Sequence, residues 1–216
     1  MEVLRMFLAS GSGSVYNDGQ RLKRSVTMGR EFELKYQAHA EDLEKIREKY
    51  GSFREISMET TYYDTPLLAL RARRWTLRRR LENGVSVCTV KTPLPDGSRG
   101  EWEVEAPDIS EGLPKLIALG APEALAELVK DGAAPFCGAR FVRLAKLLPT
   151  RDGTVELALD RGVLLGGGRE LPFAEVEVEL KSGSDRAAED FAHTLAAEFG
   201  LVLQPKSKLA RAMALT

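Results

Sequence analysis

Acidic and basic residues alternate with apolar ones along several short stretches of the chain, and they are sorted by sign. In one stretch Glu31, Glu33 and Lys35 alternate with Phe32, Leu34 and Tyr36. In an extended strand, side chains two apart share a face, so these charges point one way and the apolar groups the other. Arg78 and Arg80 share a face in the same manner, as do Thr89 and Lys91, Glu101 and Glu103, Glu156 and Asp160, and the ladder Glu175, Glu177, Glu179. A solvated amphipathic face explains any one of these strands. It does not explain acids grouped with acids on three strands and bases with bases on another, because neighbouring like charges repel unless a bound partner offsets them. Grouped carboxylates offer hard oxygen ligands to a divalent cation. Grouped Arg and Lys offer forks and point charges to an anion such as phosphate. A site that needs both binds a metal and a phosphate together.

The elements that must carry these residues are mostly strands. Period-2 patterning predicts eight, near 30–37, 57–64, 75–82, 85–92, 99–106, 139–149, 153–160 and 173–181. Turn residues separate them at Asn83-Gly84, Asp96-Gly97, Asp152-Gly153 and Gly166-Gly-Gly168, and the first three suggest antiparallel hairpins. Helices are expected over Ala40–Tyr50 with Gly51 as its stop, over Ile109–Leu119 and Pro122–Lys130, and over Arg186–Phe199 before Gly200. If the eight strands close on themselves, the charged faces line the interior and the helices cover the apolar faces from outside. The expected fold is therefore α+β, a closed eight-stranded antiparallel β-barrel with helices packed outside. So many interior charges are tolerable only if they pair or take up ions.

Composition narrows the function. Thirty-one Lys and Arg against 32 Asp and Glu leave a net charge of −1, so no global field draws the chain to nucleic acid or to a membrane surface. Any anion site must be a local arrangement. The two cysteines, Cys88 and Cys137, have no zinc or redox spacing and read as free thiols, and no apolar run reaches membrane-spanning length, so a cytoplasmic protein is expected. Residues 1–27 contain the Ser10-Gly-Ser-Gly-Ser14 stretch and a basic patch at Arg21, Lys23 and Arg24, and read as an extension outside a single domain over 28–216. His39 and His193 fall in or beside helices, away from the charged strands.

Several segments, in this order, resemble the CYTH superfamily of triphosphate tunnel metalloenzymes. Glu31-Phe-Glu33-Leu-Lys35 looks like the family's E-x-E-x-K signature, Tyr62-Tyr-Asp-Thr-Pro66 like its Y-Y-D-T-P turn, Leu77-Arg-Arg-Arg80 like L-R-x-R and Thr89-Val-Lys91 like T-x-K. Glu101-Trp-Glu103, the Arg143 strand, Glu156-Leu-Ala-Leu-Asp160, Glu175-Val-Glu-Val-Glu179 and Ser207-Lys208-Leu-Ala-Arg211 follow.

The resemblance implies an eight-stranded tunnel, a triphosphate-containing substrate and Mg²⁺ or Mn²⁺ as cofactor. It makes Glu31 and Glu33 with Glu175 and Glu177 metal ligands, Asp160 and Glu103 supporting ones, and Lys35, Arg78, Arg80, Lys91, Arg143, Lys208 and Arg211 the grip on phosphate. Which two of Glu175, Glu177 and Glu179 bind metal is open, and Arg140 competes with Arg143. Inorganic triphosphatase activity ranks first, nucleoside or thiamine triphosphatase next and class IV adenylyl cyclase last. A non-catalytic phosphate or nucleotide sensor is the reading from another class.

Overall fold

Residues 28–30, 32–95 and 99–216 are described by a computed structural model of the protein. Residues 1–27, Glu31 and the Asp96-Gly97 turn lie outside the described residues. The chain begins with β1 (Met28–Arg30) and β2 (Glu33–Gln37), continues through α1 (Ala40–Tyr50) and β3 (Arg54–Asp64), and makes a single turn of helix, α2 (Ala69–Ala72). The strands β4 (Thr76–Glu82), β5 (Val85–Pro93) and β6 (Arg99–Glu105) precede two short helices, α3 (Ile109–Ala118) and α4 (Ala124–Leu128). Three long strands follow, β7 (Ala134–Thr150), β8 (Gly153–Gly166) and β9 (Arg169–Gly183), then α5 (Asp185–Phe199), β10 (Val202–Leu203) and α6 (Lys208–Met213).

All ten strands form one antiparallel sheet in the order β1-β6-β5-β4-β3-β7-β8-β9-β2-β10. Local chemistry sets the hairpins. Asn83 and Gly84 both take positive φ, 49° and 83°, the requirement of a tight two-residue turn, and Asn83 Oδ1 accepts from Ser57 N at 2.8 Å to tie that turn to β3.

The expected ring of eight strands is not closed by hydrogen bonds among the described residues. The strand expected over 30–37 is divided, because its two parts serve different neighbours: β1 pairs with β6 (Gly29 opposite Glu101) and β2 with β9 (Lys35 opposite Glu177). Only residues 31 and 32 separate β1, at one edge of the sheet, from β2, the next-to-last strand at the other edge. The sheet is thereby curled, and residues of β2 to β9 line one cavity of about 720 Å³.

Two apolar layers cover the outer face. Leu43 and Ile46 of α1 and Ala188, Ala192 and Leu195 of α5 pack on Val155, Leu157, Leu159, Val176 and Val178. Ile109, Leu116 and Leu125 of α3 and α4 pack on Leu77, Cys88, Val90 and Trp102. Each fully buried Leu or Ile stabilises the fold by roughly 1.5–3 kcal/mol. The helices were all expected outside, and α6 departs from this. It lies on the face that bears the charges, with Ala212 clustered against Phe141, Leu164 and Phe173. The inner face is apolar at that end, and Gly166 makes room: a Cβ there would stand 2.4 Å from the Ala212 carbonyl oxygen. No helix among the described residues is long and apolar enough to cross a membrane.

Candidate active site

Three strands and one short helix build the most densely charged part of the cavity. Register places Arg143 of β7 opposite Asp160 of β8, and Asp160 opposite Glu175 of β9. Arg143 donates from Nε to Asp160 Oδ1 at 2.8 Å and from Nη2 to Oδ2 at 2.7 Å, and it also bonds Glu177. Ser207 caps α6, accepting from Ala210 N at 3.1 Å, and this presents Lys208 and Arg211 to the same carboxylates. Lys208 Nζ lies 2.6 Å from Asp160 and 2.8 Å from Glu177 and contacts Glu175, which Arg211 also bonds. Asp160, Glu175 and Glu177 each offer an oxygen, all within 4.8 Å of one another, a spacing and donor chemistry that suit a hard divalent cation.

A second group lies on β4, β5 and β6. Arg78 reaches Glu101 at 3.2 Å and Glu103 at 3.4 Å, and Lys91 reaches Glu101 at 3.1 Å. Arg80 donates to Thr60 Oγ1 at 3.3 Å and lies 3.6 Å from Glu82. On β2, β9 and β8 runs a row of carboxylates in direct register, Glu33 opposite Glu179 and Glu179 opposite Glu156. Lys35 pairs with Glu33, and Lys181 lies 2.8 Å from Glu179 and 3.6 Å from Glu156.

Burial opposes the charges of Glu175, Glu177, Lys208 and Arg80, and their neighbours decide each outcome. Asp160 and Glu175 are 0% exposed, so water does not reach them. For Glu175 burial wins over Lys208 and Arg211, Glu177 adds repulsion, and its carboxyl is pushed up. For Glu177 burial loses to Lys208 and Arg143, and the carboxyl is held well below its usual range. Burial also works against the Lys208 ammonium, but Asp160, Glu177 and Glu175 outweigh it and hold the group well above its ordinary value. Arg80 is lowered by burial and then by Arg78 and Arg143, a crowding of cations that an anion would relieve.

Glu103 gives a pH test. Its burial penalty is overcome by Arg78, Arg80, the Thr89 hydroxyl and Lys91, which bring it down from 4.5 to about 2. A depressed carboxyl adds stability that is full above its unfolded value and lost as pH falls through the folded one. Glu177 acts in the same direction, and Glu175 in the opposite one. The melting temperature should therefore fall between about pH 5 and pH 2, and more shallowly in Glu103→Gln. Parallel acid limbs in the two proteins would remove Glu103 from this role.

Of the residues expected from sequence, Glu33, Lys35, Arg78, Arg80, Lys91, Glu103, Arg143, Glu177 and Lys208 line the large cavity. Asp160, Glu175 and Arg211 join it through the cluster around Lys208. Glu103 stands apart from that cluster, on β6 with Arg78 and Thr89. Arg140 is exposed and pairs with Glu170 at 3.2 Å, which leaves Arg143 as the inward arginine of β7. Sequence reading passed over Glu82, although it alternates with Arg80 and Arg78 and strand parity alone puts it on their face. Arg54 and Lys181 also line the cavity but stood outside, or at the last residue of, the expected strands.

A smaller cavity of about 330 Å³ adjoins the large one, sharing Tyr62, Thr76, Arg99, Ser207 and Leu209 with it. Trp75, Phe136 and Met213 wall it, with Arg71 and Arg74 at its rim. Trp102 is buried in the outer core beneath α3 and faces neither cavity. Cys88 and Cys137 are free, buried thiols, raised by burial to about 11 and about 12.

The chain and its fold have counterparts among known proteins. Residues 29–213 match the CYTH domain family, and the chain belongs to it. An inorganic triphosphatase of Haemophilus influenzae is 29% identical over 158 residues, covering 72% of this chain and 45% of that protein, so the chain spans less than half the length of this relative. A candidate adenylyl cyclase from Hippeastrum with a dominant triphosphatase activity superposes with a TM-score of 0.62 at 18% identity, over 83% of this chain and 93% of its own. A candidate adenylate cyclase from Bacillus halodurans gives 0.60 at 19%, over 83% and 95%. At these identities the structural matches speak to the fold.

Proposed function

We propose that this chain hydrolyses triphosphates, inorganic tripolyphosphate foremost, to pyrophosphate and phosphate with the help of Mg²⁺ or Mn²⁺. One observation carries the reading: a single cavity is lined by the cationic group Arg78, Arg80 and Lys91 and is bordered by the Asp160, Glu175 and Glu177 cluster. Phosphoryl transfer asks a protein mainly to align the attacking oxygen and to neutralise charge on the transferred group. Arg78, Arg80 and Lys91, with Lys35 and Arg143, bind phosphate oxygens and are oriented before the substrate arrives, so they need little reorganisation during reaction. Glu33, Asp160, Glu175 and Glu177 would hold the metal, and Glu31 of the same E-x-E-x-K signature would join them. The metal, when bound, screens phosphate charge and makes a coordinated water more acidic. Water attacks the terminal phosphorus, the bond to the bridging oxygen breaks, pyrophosphate leaves, and a carboxylate of the cavity takes the water proton. No covalent intermediate is required, since both thiols are buried and raised and both histidines lie at helices outside the cavity.

A second reading, a nucleoside triphosphatase, is favoured by the adjoining cavity. Its Trp75 and Met213 wall offers a neutral ring a stacking surface beside the phosphate site. Chromatography of products from tripolyphosphate and from ATP, under identical Mg²⁺ or Mn²⁺, tests both. Tripolyphosphate is expected to show the higher kcat/KM, and ATP to yield little cyclic AMP. Inert tripolyphosphate beside active ATP would move the function to the second reading, and dominant cyclic AMP would make the chain a cyclase.

A further inference from the structure

The carboxylate cluster is spaced for a cation, and the chain itself places one there. Lys208 Nζ sits among Asp160 Oδ2, Glu177 Oε1 and Glu175 Oε1, the first two at 2.6 Å and 2.8 Å. With Arg143 and Arg211 beside it, three acids face three bases. Charge balances, yet bonding does not. Glu175 Oε1 is buried directly against the ammonium, and the buried Arg211 Nε donates no hydrogen bond. A flexible ammonium with three donors does not satisfy this donor set as a coordinated cation could.

The layout also gives the lysine somewhere to go. Lys208 and Glu177 line the large cavity, whereas Asp160 and Glu175 are fully buried and are not among its lining residues. Lys208 is the first residue of α6, and the helix is anchored at its other end by Ala212 against Gly166 and by the bonds from Arg169 to the Leu215 carbonyl. A four-carbon stem can therefore swing into the cavity while the helix stays docked.

We propose that Lys208 is a built-in substitute for a divalent cation: it occupies the Asp160, Glu175 and Glu177 group in the free protein and moves onto phosphate oxygens when a metal-bound triphosphate enters. This rests on the cavity being a triphosphate site. A metal alone must evict an ammonium that has no equal alternative partner. A triphosphate supplies that partner, so metal and triphosphate strengthen each other's binding, and by linkage they do so reciprocally.

Mn²⁺ binding to the full chain, followed by the paramagnetic resonance of free Mn²⁺, tests the substitution. Without phosphate, Lys208→Met should bind Mn²⁺ about tenfold or more tightly than the unaltered protein, in the range usual for coupled sites. Adding Asp160→Asn should abolish that gain. Equal affinities, or a gain that survives Asp160→Asn, would overturn the proposal. Because Lys208→Met leaves buried acids less compensated, a crystal structure of the unaltered chain with Mg²⁺ and an imido-bridged triphosphate provides a test independent of its folding. Lys208 Nζ is expected on the phosphate. An analogue bound with Lys208 still on Asp160 and Glu177 sinks this inference alone, and an analogue absent from the cavity sinks the triphosphate reading with it.

Discussion

Chelation with EDTA should abolish turnover of tripolyphosphate, and Mg²⁺ or Mn²⁺ should restore it. Carboxylates from β2, β4, β6, β8 and β9 stand among the cavity's cations, and a divalent cation held by them would offset their repulsion of a polyanion. The individual carboxylates should then separate by their partners. Glu33 stands opposite Glu179, next to Glu156 in the same row, so Glu33→Gln relieves repulsion and should keep or raise the melting temperature while lowering kcat by about 10²-fold or more. Glu177→Gln should lose activity and stability together, because Glu177 pairs with Arg143 and Lys208 in a buried cluster. Removing one member of such a cluster costs about 3–5 kcal/mol. Activity, thermal melting and metal dependence measured on the same preparations decide the matter. Full turnover in metal-free protein would end the mechanism proposed above.

Loss of Arg78 or Lys91 should damage every triphosphate substrate by a similar factor, about 10²–10³ in kcat/KM. Both side chains face the phosphate cavity, and a guanidinium or ammonium there senses the phosphate chain whatever is attached to it. Arg78 also holds Glu101 and Glu103, so Arg78→Lys is the informative companion: it keeps the charge and loses the fork. Tripolyphosphate and ATP are to be assayed in parallel. A variant that loses ATP hydrolysis but retains tripolyphosphate hydrolysis would move Arg78 from the phosphate site to the recognition of a base.

Strand parity made much of this site legible in advance. Alternation of Glu175 and Glu177 with Val176 and Val178 needs no tertiary information, and the structure places the valines in the outer core and the acids in the cavity cluster. The same rule already puts Arg140 and Arg143 on opposite faces, since they are three apart. Deciding which face is inward required the register with Asp160. Other features were not local. Residue types in Ser207-Lys208-Leu-Ala-Arg211 suggest an anion grip, but nothing in five residues says that the helix docks on the inner face and spends its cations on Asp160, Glu175 and Glu177. Nor does alternation show where a strand changes partner, which is why the first strand read as one segment and not as β1 and β2. Trp75 fell inside the strand expected over 75–82, where parity groups it with Leu77 on the apolar side, whereas β4 begins only at Thr76 and Trp75 just before it joins the wall of the small cavity.

The division of the first strand bears on how the chain assembles during synthesis. Its β2 half is made well before its partner β9, which lies far downstream, with Lys35 opposite Glu177. Such a distant pairing makes loop closure slow and postpones it until β9 has emerged. Until then the apolar side of the segment, Phe32, Leu34 and Tyr36, has no β9 ladder to join and stays without it while β3 to β8 are made.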